Sequence, residues 1–160
     1  MKRLILLLCV ITLQAAAAEP RVTPDEEKLR EAIDLCMSRV SNGQADDAFN
    51  FLFKEFWKEK STVGQATSAM QRQYRNMIGR AEDALGQPVP GGYEFIGVKR
   101  LGTSVARFIY LQKNELTFLP WAFTFYRADK DWKLSHISFP DLTSEDIRDF
   151  TVIVFAPSGK

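Results

Sequence analysis

His136 is the side chain best suited to acid–base chemistry, and it is the only histidine among the 160 residues. Imidazole changes charge near neutral pH, and burial disfavours its charged form. The residues around His136 are typical of a β-strand, which predicts that it faces inward, across from Phe123. There it could act as the general base of an isomerase or dehydratase. Because no carboxylate shares the predicted inward face, a hydrogen-bonded histidine at the core edge is the alternative interpretation.

Aromatic side chains with polar tips are predicted on the same inward face. Tyrosine hydroxyls and an indole N–H can orient a small apolar or amphipathic ligand in an otherwise apolar pocket. The predicted ligand-binding residues are Tyr74, Tyr93, Tyr110, Trp121, Phe123 and His136. If these rings fill the interior themselves, a structural or partner-binding role remains.

Other chemistries lack the residues that they need. We predict no zinc site, because the chain has one histidine, one cysteine beyond the first 18 residues and no clustered carboxylates at ligand spacing. A nucleophile motif and a phosphate-binding glycine loop are also missing, so we expect no cofactor. Cys36 lies on the apolar stripe of a predicted helix, where we expect a buried small hydrophobe.

Arg107 is the second residue with a candidate role. Strand alternation places it on the outer face of the predicted sheet, diagonally across from Glu94, so an ion pair is the first expectation. Alternatively, Arg107 anchors an anionic ligand or a partner subunit.

The first 18 residues have the layout of a cleaved signal peptide. Lys2 and Arg3 precede an apolar run at 4–13 and four alanines at 15–18, and the run is too short to span a bilayer. We therefore expect a periplasmic or secreted protein without a stable membrane anchor, whose mature chain, 19–160, is a single domain. The balance of acidic and basic side chains argues against a nucleic-acid partner.

Three helices are predicted in the first half of the mature chain. A capping box with proline at the first helical position begins one at Thr23-Pro24, and it ends at 41–43. A shorter, very aromatic helix covers about 44–57. A longer one covers about 62–85 and ends at Gly86. The Pro/Gly-rich stretch 87–92 is predicted to link the helices to a sheet.

Four strands follow, at 93–100, 103–112, 115–127 and 132–140, and short breaks between them predict three hairpins. Alternation carried across all four strands places Val98 and Ile137 outward. The predicted inward face is aromatic and comprises Tyr93, Phe95, Phe108, Tyr110, Leu119, Trp121, Phe123, Phe125, Leu134 and His136. A short helix from Asp141 and a fifth strand or apolar tail at 151–155 complete the prediction.

This order of elements resembles the NTF2-like (cystatin-like α+β cone) superfamily, and is most similar to its small secreted bacterial members of unassigned function. The resemblance is carried by the helix containing Ala48 to Phe56, the long helix closing at Gly86, and the last hairpin, with its polar turn before Trp132-Lys133-Leu134. It implies a curved sheet of four to five strands. It also implies a cone that binds small hydrophobic ligands, performs isomerase or dehydratase chemistry, or serves dimerisation.

These observations lead to two functional hypotheses. The first is a non-enzymatic protein that binds a small ligand in its aromatic-lined cone, or an interaction module that forms a homodimer through its outer sheet face. The second is an isomerase- or dehydratase-type enzyme with His136 as general base and tyrosine hydroxyls polarising a carbonyl.

Overall fold

The computed structural model describes residues 22–127 and 129–140. Three α-helices come first: α1 is Pro24–Ser41, α2 is Ala45–Phe56 and α3 is Val63–Leu85, with a 3-10 turn at Lys60–Thr62. The three helices predicted in the first half of the mature chain are confirmed, and so is the capping box that begins α1. Its Glu26 carboxylate accepts a 2.9 Å hydrogen bond from the backbone N–H of Thr23, a donor that the helix itself leaves unpaired.

Four strands follow the helices: β1 is Pro88–Leu101, β2 is Val105–Asn114, β3 is Phe118–Arg127 and β4 is Trp132–Ser138. They form one antiparallel sheet in the order β1-β2-β3-β4, so neighbours in sequence are neighbours in space. The protein is therefore α+β, with helices first and an open antiparallel sheet second.

The predicted linker at 87–92 is wrong, because β1 already begins at Pro88. β1 is an edge strand, and an edge strand tolerates prolines among its first residues because it has a neighbouring strand on one side only. Its pairing with β2 shifts between Pro88 and Tyr93, where Gly91 has φ +66°. A residue other than glycine rarely adopts that conformation. The loop-like composition of this stretch therefore reflects an irregular strand and not a linker.

The helices cover one face of the sheet, here called the helix face, and the core lies between the two layers. Rings of α2 meet rings of β3 directly: Phe56 packs edge-on against Phe125 with centroids 5.7 Å apart. Cys36 is fully buried in this core, as predicted, and burial raises the pKa of its thiol to about 12. The thiol is therefore an unreactive hydrophobe at neutral pH.

Irregularities in β1 and β4 change which side chains reach the core. β1 slips by one residue between Phe95 and Gly97, so Val98 lies opposite buried Phe108 and not on the outer face. β4 slips at Ser135, so that Leu134 pairs with Phe125 and His136 with Thr124. A bulge inserts one residue and reverses the alternation beyond it.

The predicted inward position of His136 and outward position of Ile137 are therefore wrong. Ile137, opposite Phe123, is 2% exposed and belongs to the core, whereas His136 is exposed on the other face.

Residues 1–21 and 141–160 lie outside the described part of the chain. The predicted signal peptide, the short helix from Asp141 and the fifth strand at 151–155 fall on them. Within 22–127 and 129–140, no helix is long and apolar enough to cross a membrane.

Candidate functional site

Three of the predicted ligand-binding residues lie at the centre of the core. Tyr110, Trp121 and Phe123 each have no accessible surface. The Phe123 ring stacks on Trp121 at 6.0 Å between centroids and meets Tyr110 edge-on at 5.9 Å. A side chain without accessible surface borders no space large enough for water, so these three rings line no open chamber.

Tyr74 on α3 and Phe139 after β4 close the same region. The Tyr74 ring lies 5.6 Å from Trp121, and the Phe139 ring lies 4.8 Å from Trp121 and 6.1 Å from Tyr74. Tyr74 is only 8% exposed, and burial raises its pKa. The aromatic face that was predicted to hold a ligand is occupied by its own rings and by rings from α2 and α3.

The polar tip of Trp121 is satisfied inside the protein. Its indole Nε1 donates a 3.1 Å hydrogen bond to Gln112 Oε1, and Gln112 Nε2 donates one of 3.0 Å to Asn114 Oδ1. Gln112 is fully buried on β2. The indole N–H is thus engaged by the protein and is not available to orient a ligand.

A second cluster joins α1 to the first two strands. The Tyr110 hydroxyl donates a 2.8 Å hydrogen bond to Asp34 Oδ1, and Arg30 Nε lies 3.8 Å from Asp34 Oδ2. Tyr93 contributes a ring 6.4 Å from Tyr110, and the Arg30 guanidinium lies 4.7 Å from the centre of the Phe95 ring. Burial, then the bond to Asp34, raises the pKa of Tyr110, so its hydroxyl stays protonated and remains a donor.

Sequence reasoning missed Asp34 because it compared only strand residues for the inward face. Asp34 sits on α1 beside the apolar stripe and one turn after Arg30, and its side chain is 34% exposed. The i, i+4 spacing of Arg30 and Asp34 was the available signal, but that pattern is also typical of solvated helix faces.

The other sheet face, here called the solvent face, carries His136 and Arg107. One row across it reads Lys99 on β1, Arg107 on β2, Thr124 on β3 and His136 on β4, each directly opposite the next. We call Lys99, Arg107 and His136 the basic row. Arg107 and His136 are exposed, and Arg107 Nε donates a 3.2 Å hydrogen bond to Thr124 Oγ1.

The predicted ion pair between Arg107 and Glu94 is wrong. Glu94 lies opposite Leu111 and forms its ion pair with Lys113, at 3.5 Å. Arg107 lies opposite Lys99 because the pairing of β1 with β2 starts from Leu101 and Val105 at the hairpin.

Large apolar side chains are exposed at both ends of the solvent face. Leu101 is 77% exposed and Tyr126 is 48% exposed, in the row that also contains Val105 and Lys133. Phe118, at the other end of β3, is 39% exposed. Exposed aromatic and aliphatic groups next to exposed basic side chains are typical of protein–protein contact surfaces.

A depression of about 400 Å³ lies between α1 and α2 and is lined by Lys28, Glu31, Ala32, Leu35, Phe51, Glu55 and Phe56. It contains none of the predicted site residues. Within the described ranges, no three histidine, cysteine or acidic side chains converge in a way that could hold a metal ion.

Comparison with known proteins gives no relative: no family model, no curated protein and no solved structure matches this chain.

Proposed function

We propose that this protein is a non-enzymatic interaction module, and that the solvent face of its sheet binds an acidic, partly apolar segment of another protein. The observation that carries the proposal is the contrast between the two faces. Tyr110, Trp121 and Phe123 are completely buried on one side, while Leu101 and Tyr126 flank exposed basic groups on the other. A filled interior favours partner binding over a small ligand in the cone.

The charge of the basic row determines the chemistry of the partner. Lys99 and Arg107 lie directly opposite each other on neighbouring strands, and His136 continues the row beyond Thr124. Carboxylates on a partner would complement the positive charge of this row. A partner that brings Asp or Glu to the row and apolar groups to Tyr126 and Leu101 fits both features.

A homodimer through this face is the alternative assembly. A two-fold contact would bring the basic row of one copy towards the basic row of the other, which costs electrostatic energy unless Glu94 or Asp131 is interposed. Both carboxylates lie away from the row: Glu94 pairs with Lys113, and Asp131 lies 4.0 Å from Lys133 at the turn before β4. A different protein is therefore the preferred occupant.

The order of helices and antiparallel strands supports the proposed membership of the NTF2-like superfamily. A signal peptide over residues 1–18 would place the module in the periplasm or outside the cell. Its partner would then be another protein of that compartment.

Binding of a short fluorescein-labelled peptide of alternating glutamate and valine, followed by fluorescence polarisation, tests the proposal. We expect saturable binding that weakens with salt and is reduced about tenfold or more by Arg107→Glu. Arg72→Glu is the matched control, because Arg72 is exposed on α3, away from the sheet. Equal loss in both variants, or no binding by the natural chain, would contradict the proposal.

Acid–base catalysis is the second candidate, and the hydrogen bond from Tyr110 to Asp34 is the observation that favours it. A carboxylate beside tyrosine hydroxyls can move a proton next to a polarised carbonyl. The His136 version has less support, because His136 is on the opposite face from Tyr93 and Tyr110. Deuterium exchange at the α-carbon of an enolisable cyclic ketone separates the two proposals: an interaction module leaves the buffer rate unchanged, and an enzyme accelerates it in a manner that Asp34→Asn abolishes.

A further inference from the structure

Two side chains in the middle of the solvent face are buried although they point away from the helices. Ile109 on β2 and Ala122 on β3 lie directly opposite each other, and each is 2% exposed. Ile109 alternates with Phe108 and Tyr110, which point into the core, so Ile109 points to the other side. Neither Ile109 nor Ala122 belongs to the core cluster between helices and sheet.

The burial is confined to the middle of the face. Phe118, Pro120, Ala122, Thr124 and Tyr126 share this face of β3. Pro120 and Ala122 are buried, whereas Phe118 is 39% and Tyr126 48% exposed. Contacts with the neighbouring strands alone leave Phe118 and Tyr126 exposed to water. Something further must therefore cover Pro120 and Ala122. We call Ile109, Pro120 and Ala122 the central patch.

We propose that the C-terminal segment of this same chain covers the central patch, with the apolar run at 151–155 lying on it. The run reads Thr, Val, Ile, Val, Phe. Side chains of this kind fit the pleated, apolar surface of a sheet. Nothing else in residues 141–160 offers a comparable apolar stretch.

The chain has only a short distance to cover between the end of β4 and the central patch. β4 ends at Ser138, which pairs directly with Ala122, so the chain leaves the sheet one strand away from the central patch. The buried Pro140 follows, and residues 141–150 separate it from the apolar run. Extended, these residues span up to about 33 Å, and crossing two strands requires only about 10 Å. The tether therefore holds the run at a high local concentration over the patch.

This inference does not depend on the proposed partner. The segment would occupy the centre of the solvent face. Arg107, Tyr126 and His136, near one end of that face, would remain accessible, in agreement with their exposure. The partner-binding surface would then be bordered on one side by the chain's own C-terminal segment.

Thiol labelling of an Ala122→Cys chain tests the contact, read by mass spectrometry for each cysteine-containing peptide. Alanine to cysteine adds one atom, and the fully buried Cys36 on the other side of the sheet is an internal control for folding. The labelling rate is compared between the natural segment and one carrying Val152→Asp and Ile153→Asp. This pair places a charge on both faces of the run, whichever way it lies.

We expect slow labelling of the new cysteine with the natural segment and a rate at least tenfold higher with the two aspartates, while Cys36 remains protected in both. Fast labelling with the natural segment, or no effect of the aspartates, would overturn the proposal. Protection that increases with protein concentration would assign the cover to a second copy instead.

If Cys36 also became reactive in the aspartate variant, a photo-cross-linker replacing Phe155 in the otherwise natural chain decides the question. Cross-links within one chain to the outward residues of β2 and β3 support the contact. Cross-links to the helices or between chains refute it.

Discussion

Glu26 in the first turn of α1 and Arg100 at the end of β1 form an ion pair that joins the helix layer to the edge of the sheet. Arg100 Nε donates a 2.8 Å hydrogen bond to Glu26 Oε1, and the Glu26 side chain is only 3% exposed. The same carboxylate accepts the backbone N–H of Thr23. One buried carboxylate therefore caps a helix and holds it against β1.

Glu26→Gln tests the charge in this pair separately from the cap, since glutamine also serves in a capping box. We expect a loss of about 2 kcal/mol in the free energy of unfolding at pH 7, measured with urea. Glu27→Gln, at the exposed neighbouring position, should change it by less than about 0.5 kcal/mol. Equal effects of the two substitutions would show that the buried pair contributes nothing specific.

The cost of Glu26→Gln should also depend on pH. Burial alone would raise the pKa of Glu26, but hydrogen bonds from Arg100 and Thr23 outweigh it and hold the pKa below its usual value. A carboxyl whose pKa is lower in the folded state stabilises the fold above its unfolded pKa and loses that contribution as pH falls through its folded pKa. The difference between natural and variant chains should be constant from pH 7 to 5 and shrink below about pH 4.

Tyr110→Phe tests the hydrogen bond to Asp34 without changing the core volume. We expect a loss of about 1 kcal/mol in the free energy of unfolding, because Asp34 is partly exposed and can replace the lost donor with water. Tyr126→Phe is the matched control, since its hydroxyl is on the exposed face. A larger loss for Tyr126→Phe than for Tyr110→Phe would contradict the assignment of faces.

Adjacent alanine substitutions in β4 test the bulge at Ser135. Ile137→Ala should cost about 2–4 kcal/mol of unfolding free energy, because Ile137 is buried opposite Phe123. His136→Ala should cost less than about 0.5 kcal/mol, because His136 is exposed. A larger loss for His136→Ala than for Ile137→Ala would contradict the bulge, because it would indicate uninterrupted alternation with the histidine in the core.

The helices and the four-stranded meander could be predicted because local signals and long-range packing agree on them. Thr23, Pro24 and Gly86 mark helix ends with their own backbone chemistry, and the period-2 pattern of β2 and β3 runs uninterrupted through Tyr110 and Trp121. The prediction from alternation failed where a single residue was inserted, because neither Ile96 nor Ser135 is a residue type that signals a bulge.

Strand register also explains what was missed at the site. His136 and Arg107 were assigned partners by counting along strands. The bulge in β4 changed the partner of His136, and the start of the β1–β2 pairing at Leu101 and Val105 changed the partner of Arg107. The contact between Tyr110 and Asp34 joins residues 76 positions apart on different elements. Only the packing of α1 on the sheet brings them together, and no local pattern encodes that.

Native mass spectrometry of the protein purified from its own host tests the central claim, that the interior is filled and the function lies on the surface. The mass under gentle conditions is compared with the mass after denaturation. We predict that each protomer has the mass of its polypeptide alone in both spectra. A small apolar molecule that is retained in the folded protein and released on unfolding would contradict this account and return the aromatic interior to the role of a binding site.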